Sequence, residues 1–167
     1  MKYLTIILVI LSLCSCNHNE EPPFEVTLPI QEEYIVKSEW ISRYDSEKTA
    51  ICKALDEKLF IVNSPDELPK DDIWGFGEAY TKADFKSYTL LIYYELHPWQ
   101  VEVYRYRYVR NNTEKRYDWY IGNRIGPEEP NPEKWQFTRY AIAVNKLPEN
   151  ASVMAWRSLI SSDWEWE

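Results

Sequence analysis

Cysteine is scarce in this chain: three residues in 167, two of them, Cys14 and Cys16, close together near the N-terminus. An odd count, with Cys52 alone in the body of the chain, excludes a disulfide scaffold as the main source of stability. Cys52 instead reads as a small buried hydrophobe. Histidine occurs only twice. His18 lies in a polar stretch with nothing to orient it. His97 has no cysteine or second histidine nearby in sequence, so no metal-ligand set is expected. Flanked by Pro98 and placed between Glu95 and Glu102, His97 reads as an exposed turn residue. Glycine appears four times, and no G-x-G-x-x-G, phosphate loop or G-x-S-x-G is present. Trp74-Gly75-Phe76-Gly77 lacks the Lys-Ser or Lys-Thr that a phosphate loop needs, so no nucleotide cofactor is expected. Positive charge is in deficit, with 19 Lys and Arg against 27 Asp and Glu. Nucleic-acid affinity is driven by Lys and Arg releasing counterions from phosphate, so a net −8 chain is a poor candidate for it. Adsorption to an anionic membrane surface is disfavoured for the same reason.

Long apolar runs are also missing. The longest, Tyr3 to Cys14, has about 12 residues, whereas a spanning helix needs about 20 and a secretory core about 7–15. With Lys2 before it, the run reads as an export signal. Leu13-Cys14-Ser15-Cys16 then resembles the bacterial lipoprotein box, an aliphatic residue and two small ones before a cysteine. The resemblance implies removal of residues 1–15 and acylation of Cys16, attaching the protein to the lipid bilayer. Each buried acyl CH₂ contributes about 0.8 kcal/mol, so several chains make attachment effectively permanent. Cys14-x-Cys16 is then no metal or redox pair, because Cys14 leaves with the leader. Residues 16–29 follow as the lipidated cysteine and a tether. Pro22, Pro23 and Pro29 make it extended and semi-rigid. Glu20 and Glu21 resemble the acidic export tag of surface lipoproteins in Bacteroidota. The expected location is the outer membrane, with the surface side favoured over the periplasmic side.

Residues 30–167 read as a single β-rich domain, and the mean hydropathy of −0.52 is that of a soluble fold. Glu33 to Tyr44 patterns as one strand. Thr49 to Val62 is ambiguous. Ala50, Ile51, Ala54 and Leu55 make a helical stripe, yet Lys58 to Asn63 is strand-like and the two halves fit a hairpin. Ser64-Pro65-Asp66-Glu67 has the cap, proline and acids of a short helix start. Tyr88 to Leu96, apolar on both faces, is a central strand covered on each side. Gln100 to Arg110 is a long strand whose apolar face switches between Val103 and Tyr104, which calls for a bulge. Asn111 to Glu114 turns the chain. Lys115 to Ile121 returns with Tyr117, Trp119 and Ile121 on one face. Gly122 to Glu133 reads as a loop, and Trp135 to Lys146 and Ser152 to Ile160 as strands. Roughly seven strands with one or two short helices give a mainly β (β-rich α+β) fold, an antiparallel sandwich or open barrel.

Two segments carry a family resemblance. One runs from Asn63-Ser64-Pro65-Asp66-Glu67-Leu68 to Asp84-Phe85-Lys86-Ser87-Tyr88-Thr89-Leu90-Leu91. The other runs from Trp135 through Ala141-Ile142-Ala143-Val144 to Lys146-Leu147-Pro148. With the lipoprotein box they resemble small Bacteroidota lipoproteins that have a PrcB-like domain. The family's Gly-rich turn is replaced here by Glu95-Leu96-His97-Pro98-Trp99. The resemblance implies a protein partner and a hairpin over Thr49 to Val62, and it assigns no catalytic residue.

What the sequence has in excess is aromatic: 8 Trp and 13 Tyr. Trp and Tyr pack cores, but in shallow grooves they also stack on sugar faces and anchor interfaces. Trp99, Trp119 and Trp135 fall near loops, as do Trp164 and Trp166 in the tail. Tyr106 lies on a hairpin that also carries Arg105, Arg107, Arg110, Lys115 and Arg116. That basic hairpin fits an acidic glycan, phosphate or protein, or simply a solvated face beside Asp118. The candidate contact residues are therefore Trp99, Tyr106, Arg105, Arg107, Trp119 and Trp135. The expectation is an anchored, non-catalytic binding domain for a protein or a glycan. The alternative is a small carboxylate-dependent glycan hydrolase, although no particular pair of acids stands out.

Overall fold

The computed structural model describes residues 24–34, 36–69, 80, 83–126 and 131–159. The apolar run expected to be an export signal, Cys16, Trp74 to Gly77 and Trp164 to Trp166 lie outside the described residues.

Among the described residues nine strands form two open sheets, and a ten-residue helix covers one of them. The first sheet runs β1 (Glu25–Thr27), β6 (Val101–Asn111), β7 (Arg116–Ile125), β9 (Val153–Leu159). The second runs β2 (Ile30–Glu33), β8 (Lys134–Asn145), β5 (Tyr88–His97), β4 (Leu59–Val62), with β3 (Lys37–Ser42) also on β8. Helix α1 (Ser46–Leu55) lies on the second sheet's far side. The layers are thus sheet, sheet, helix, and the expected mainly β sandwich is the observed fold.

The two-faced patterns of β5 and β8 put them in the middle layer. Leu91, Tyr93, Tyr140, Ile142 and Val144 meet Tyr108, Trp119 and Ile121 of the first sheet. Leu90, Ile92, Tyr94, Phe137, Ala141 and Ala143 meet Ile41, Cys52 and Leu55. The strands pair antiparallel over ten positions, from Tyr88 opposite Asn145 to His97 opposite Gln136. Strands buried on both faces must be apolar throughout, and these two are until their shared end, where Glu95, His97 and Gln136 lie.

Several details differ from the sequence reading. Glu33 to Tyr44 is two strands, not one. Glu33 opposes Ile142 and Lys37 opposes Arg139, so the edge carries one residue more than β8 does. The extra residue lets Tyr34 pack towards the helix and Val36 towards the first sheet, which an unbroken strand of period two forbids. The bulge in β6 falls where the apolar face switches, between Val103 and Arg105. Thr49 to Val62 is helix then strand, not a hairpin. Asp45 caps α1 by accepting from Lys48 N at 3.1 Å, and the helix buries Thr49, Cys52 and Leu55. Its buried stripe is therefore rotated from the expected one, and Ala50 and Ala54 face out. Pro65–Glu67 is one 3₁₀ turn, and Ser64 makes no side-chain cap there. Instead Glu67 reaches back to accept from Asn63 N at 2.7 Å.

Gly122 to Ile125, read as loop, extends β7 to the far end of β6. Glu25–Thr27, read as tether, is built into the first sheet beside β6. β9 runs parallel to β7, the one parallel pair among the described strands. The chain leaves β7, reverses in β8 of the other sheet and reverses again into β9, so β9 regains the direction of β7.

Candidate functional site

At one end of the sandwich the inter-sheet core turns from apolar to polar. On β5 the inward series Leu91, Tyr93 continues as Glu95 and His97. On β7 the series Trp119, Ile121 continues as Asn123. Arg157 reaches the same end from β9. Here β5 leaves the second sheet, and Pro98-Trp99-Gln100 carry the chain into β6. Gln136 of β8 ties down that crossing. Its amide accepts from Val101 N and donates to Val101 O at 3.4 Å.

The centre is Glu95, wholly buried. Its carboxylate accepts from Arg157 Nη1 at 2.5 Å, Asn123 Nδ2 at 3.2 Å and Tyr140 OH at 3.2 Å. His97 Nε2 lies 2.7 Å from Oε2, within ion-pair distance. Burial alone would push the Glu95 carboxyl up. The contacts and charges of His97 and Arg157 outweigh it and hold Glu95 below the usual carboxylate range. Burial, together with the charge on Glu95, pushes the Tyr140 hydroxyl far up, so it stays protonated and donates.

Arg157 also donates through Nη2 to Glu57 at 2.7 Å. Glu57 sits in the turn after α1 with φ of 58°, a left-handed conformation that normally favours glycine or asparagine. One guanidinium therefore bridges the turn and the buried carboxylate, and its charge is doubly matched.

These groups border a cavity of about 460 Å³, open on one side. Leu96, Pro98 and Trp99 supply apolar lining, and Asn123, Arg157 and Ser158 supply polar lining. The size lies in the lower part of the about 300–1,000 Å³ range for small-molecule sites. Three polar atoms on lining residues, Trp99 Nε1, Asn123 Oδ1 and Ser158 Oγ, are closed to solvent and make no hydrogen bond. Each such atom costs about 1–3 kcal/mol, and native proteins keep few of them.

No family model, curated protein or solved structure matches this chain. The site is therefore read from its own geometry.

Of the expected contact residues, Trp99 alone lines this cavity. Trp119 is wholly buried and packs edge-to-face against Tyr106, with ring centroids 5.6 Å apart. Both belong to the inter-sheet core because their strands face inward there. Trp135, on the helix side, lies between cations, with Arg43 4.6 Å and Lys53 4.7 Å from its ring centroid. Arg107 bonds Glu25 at 2.9 Å and lies over Tyr120 on the first sheet's outer face. Arg105 sits at the β6 bulge opposite Gly122. Of the basic hairpin, Arg116 is matched by Asp118 at 2.8 Å. The six residues do not converge.

His97 corrects the sequence reading most. It is 3% exposed, not an exposed turn residue, because β5 runs one residue further than expected and carries it inside. Glu95, His97 and Asn123 were missed as a group. The available signal was a Glu-x-His at the end of an otherwise apolar strand. Among the described residues no group of three or more His, Cys, Asp or Glu is arranged to hold a metal ion.

Proposed function

We propose that this protein is a lipoprotein anchored to the outer membrane through acylated Cys16, and that its β-sandwich is a non-catalytic binding domain that takes a glycan at the Glu95 cavity. The observation that carries the binding reading is a half-open cavity of about 460 Å³, bordered by Trp99 and by the polar side chains of Asn123, Arg157 and Ser158. The anchor rests on the leader and the Leu13 to Cys16 pattern.

Binding is favoured over glycan hydrolysis by the state of Glu95. Hydrolysis needs a protonated carboxylic acid and a second carboxylate about 5–9.5 Å away. Among the described lining residues Glu95 is the single carboxylate; it is held below the usual carboxylate range and already accepts three hydrogen bonds. A protein partner is the second reading, favoured by Met154 and Trp156, both exposed on the edge strand β9.

A polysaccharide array probed with the purified protein tests the glycan reading. Binding is expected, and it should fall in Trp99→Ala; an array blank against every polysaccharide refutes it. Palmitate labelling tests the anchor, and label that persists in Cys16→Ala refutes acylation at that sulfur. Crosslinking from intact envelopes through β9 would favour the protein partner instead.

A further inference from the structure

Resting on the reading of Cys16 as the acylated anchor, we propose that the β6–β7 turn end of the sandwich is the face that meets the bilayer, and that the Glu95 cavity lies at the end held away from it. The chain enters the fold at the turn end. Strand β1 pairs antiparallel with the last residues of β6, Glu25 opposite Asn111 and Thr27 opposite Val109. In the turn, Asn112 N donates to Phe24 O at 3.0 Å. The Glu25 carboxylate accepts from Arg107 Nη2 at 2.9 Å and from Tyr120 OH at 3.2 Å. These bonds make Phe24 a fixed point beside the turn, so residues 25–27 add nothing to the reach of the tether.

Seven residues, 17–23, separate Cys16 from Phe24. Over that interval a fully extended chain spans at most about 29 Å. Whatever path those residues take, the turn end stays within that distance of the anchor. The cavity is at the other end of β6, where Trp99, which lines it, precedes Val101 by two residues. Val101 is ten residues from Asn111, and at about 3.3 Å per residue the two ends are about 30 Å apart. Turning the cavity end onto the bilayer would need the whole tether pulled straight, at the entropic cost of fixing every residue in it. With the turn end down the tether keeps its freedom, and the cavity is carried about 30 Å further out.

The side chains at the turn end fit a lipid surface. Phe24 is 61% exposed. Arg110, opposite Val26, and Lys115, in the turn, are also exposed. Glu114, the acid of the turn, lies 3.7 Å from Arg116. A Phe ring can enter the boundary between headgroups and acyl chains, while Arg and Lys keep their charged ends among the phosphates. The negative charge of the whole chain does not oppose this contact, because the acyl chains supply the attachment and the turn end only sets the orientation.

The experiment is energy transfer from a single labelled cysteine to an acceptor lipid, with the full acylated chain in phosphatidylcholine vesicles. Thr113→Cys carries the donor at the turn end and Ile125→Cys carries it at the cavity end, both at exposed positions. Cys52 is wholly buried, which leaves the introduced thiol as the reactive one. Transfer should be at least twofold stronger from Thr113→Cys. Equal transfer, or stronger transfer from Ile125→Cys, overturns the orientation and leaves the anchor standing. Inserting about fourteen Gly and Ser residues between Asn19 and Glu20 gives a flexible tether about three times as long, and should at least halve the difference between the two sites. A difference that the insertion leaves unchanged overturns tether length as its cause. Protein that stays in the supernatant, with no transfer from either site, overturns the anchor and the orientation together.

Discussion

Replacing Arg157 by Met removes the cation that faces buried Glu95 while keeping much of the side chain's length. In the native protein Glu95 is wholly buried and its strongest donor is Arg157 Nη1. A hydrogen bond to a charged group is worth about 1.5–3 kcal/mol. The Arg157 side chain is 47% exposed, and solvent screening places the loss in the lower half, about 1.5–2 kcal/mol at pH 7. The accompanying Glu57 pair is exposed and adds little. For a domain of this size that corresponds to a fall in Tm of about 4–8 °C. The pH dependence is the sharper test. The Glu95 carboxyl is held below its ordinary value in the folded state. Its stabilisation is present above the unfolded carboxyl's pKa of about 4.3 and is lost as pH falls through the folded value. Removing Arg157 removes part of that depression, so the variant gains less stability between acid and neutral pH. Urea unfolding at pH 3.5 and pH 7 should show the Arg157→Met penalty shrink on the acid side. A penalty equal at the two pH values would refute the claim that Arg157 holds Glu95 ionised.

Other outcomes follow from the core and the buried titrating groups. Trp119→Ala opens a cavity between the sheets where a wholly buried ring packs, and urea unfolding should show a loss of about 3–5 kcal/mol. Cys52 is wholly buried, and burial pushes its thiol up to about 11. Ellman's reagent should therefore label it only when urea unfolds the protein, and fast labelling at pH 8 would contradict its burial. Burial pushes Tyr34, Tyr80 and Tyr93 up to about 12. Raised values give stability that is complete below the unfolded tyrosine's pKa of about 10 and is lost as pH rises towards the folded value. Absorbance at 295 nm should rise in step with alkaline unfolding between those limits. Asp118→Ala leaves Arg116 and the indole of Trp156 without their acceptor, and should cost about 1.5–3 kcal/mol at the β7–β9 edge.

Some of this was legible in the chain. Apolar residues on both faces of Tyr88 to Leu96 required a middle-layer strand, because such a strand is stable only when covered twice. The phase switch between Val103 and Tyr104 required a bulge, since side chains alternate with a period of two. The scarcity of cysteine, histidine and glycine excluded scaffolds and cofactor loops outright. These are local properties, carried by residues a few positions apart.

The candidate site was not legible, and neither was the rotation of helix α1. Glu95 and His97 are two residues apart in sequence, but Asn123 and Arg157 are 28 and 62 residues from Glu95. What brings them together is the stacking of one sheet on the other and the return of the chain to set β9 parallel to β7. The same packing divides the aromatic excess. Trp119 and Tyr106 went to the core, Trp135 to the helix side and Trp99 to the cavity. Composition counts rings without saying which face each one covers. By itself the sequence determined which stretches must be buried. Only the tertiary structure decided which polar groups share a buried space, because that depends on the pairing of strands far apart along the chain.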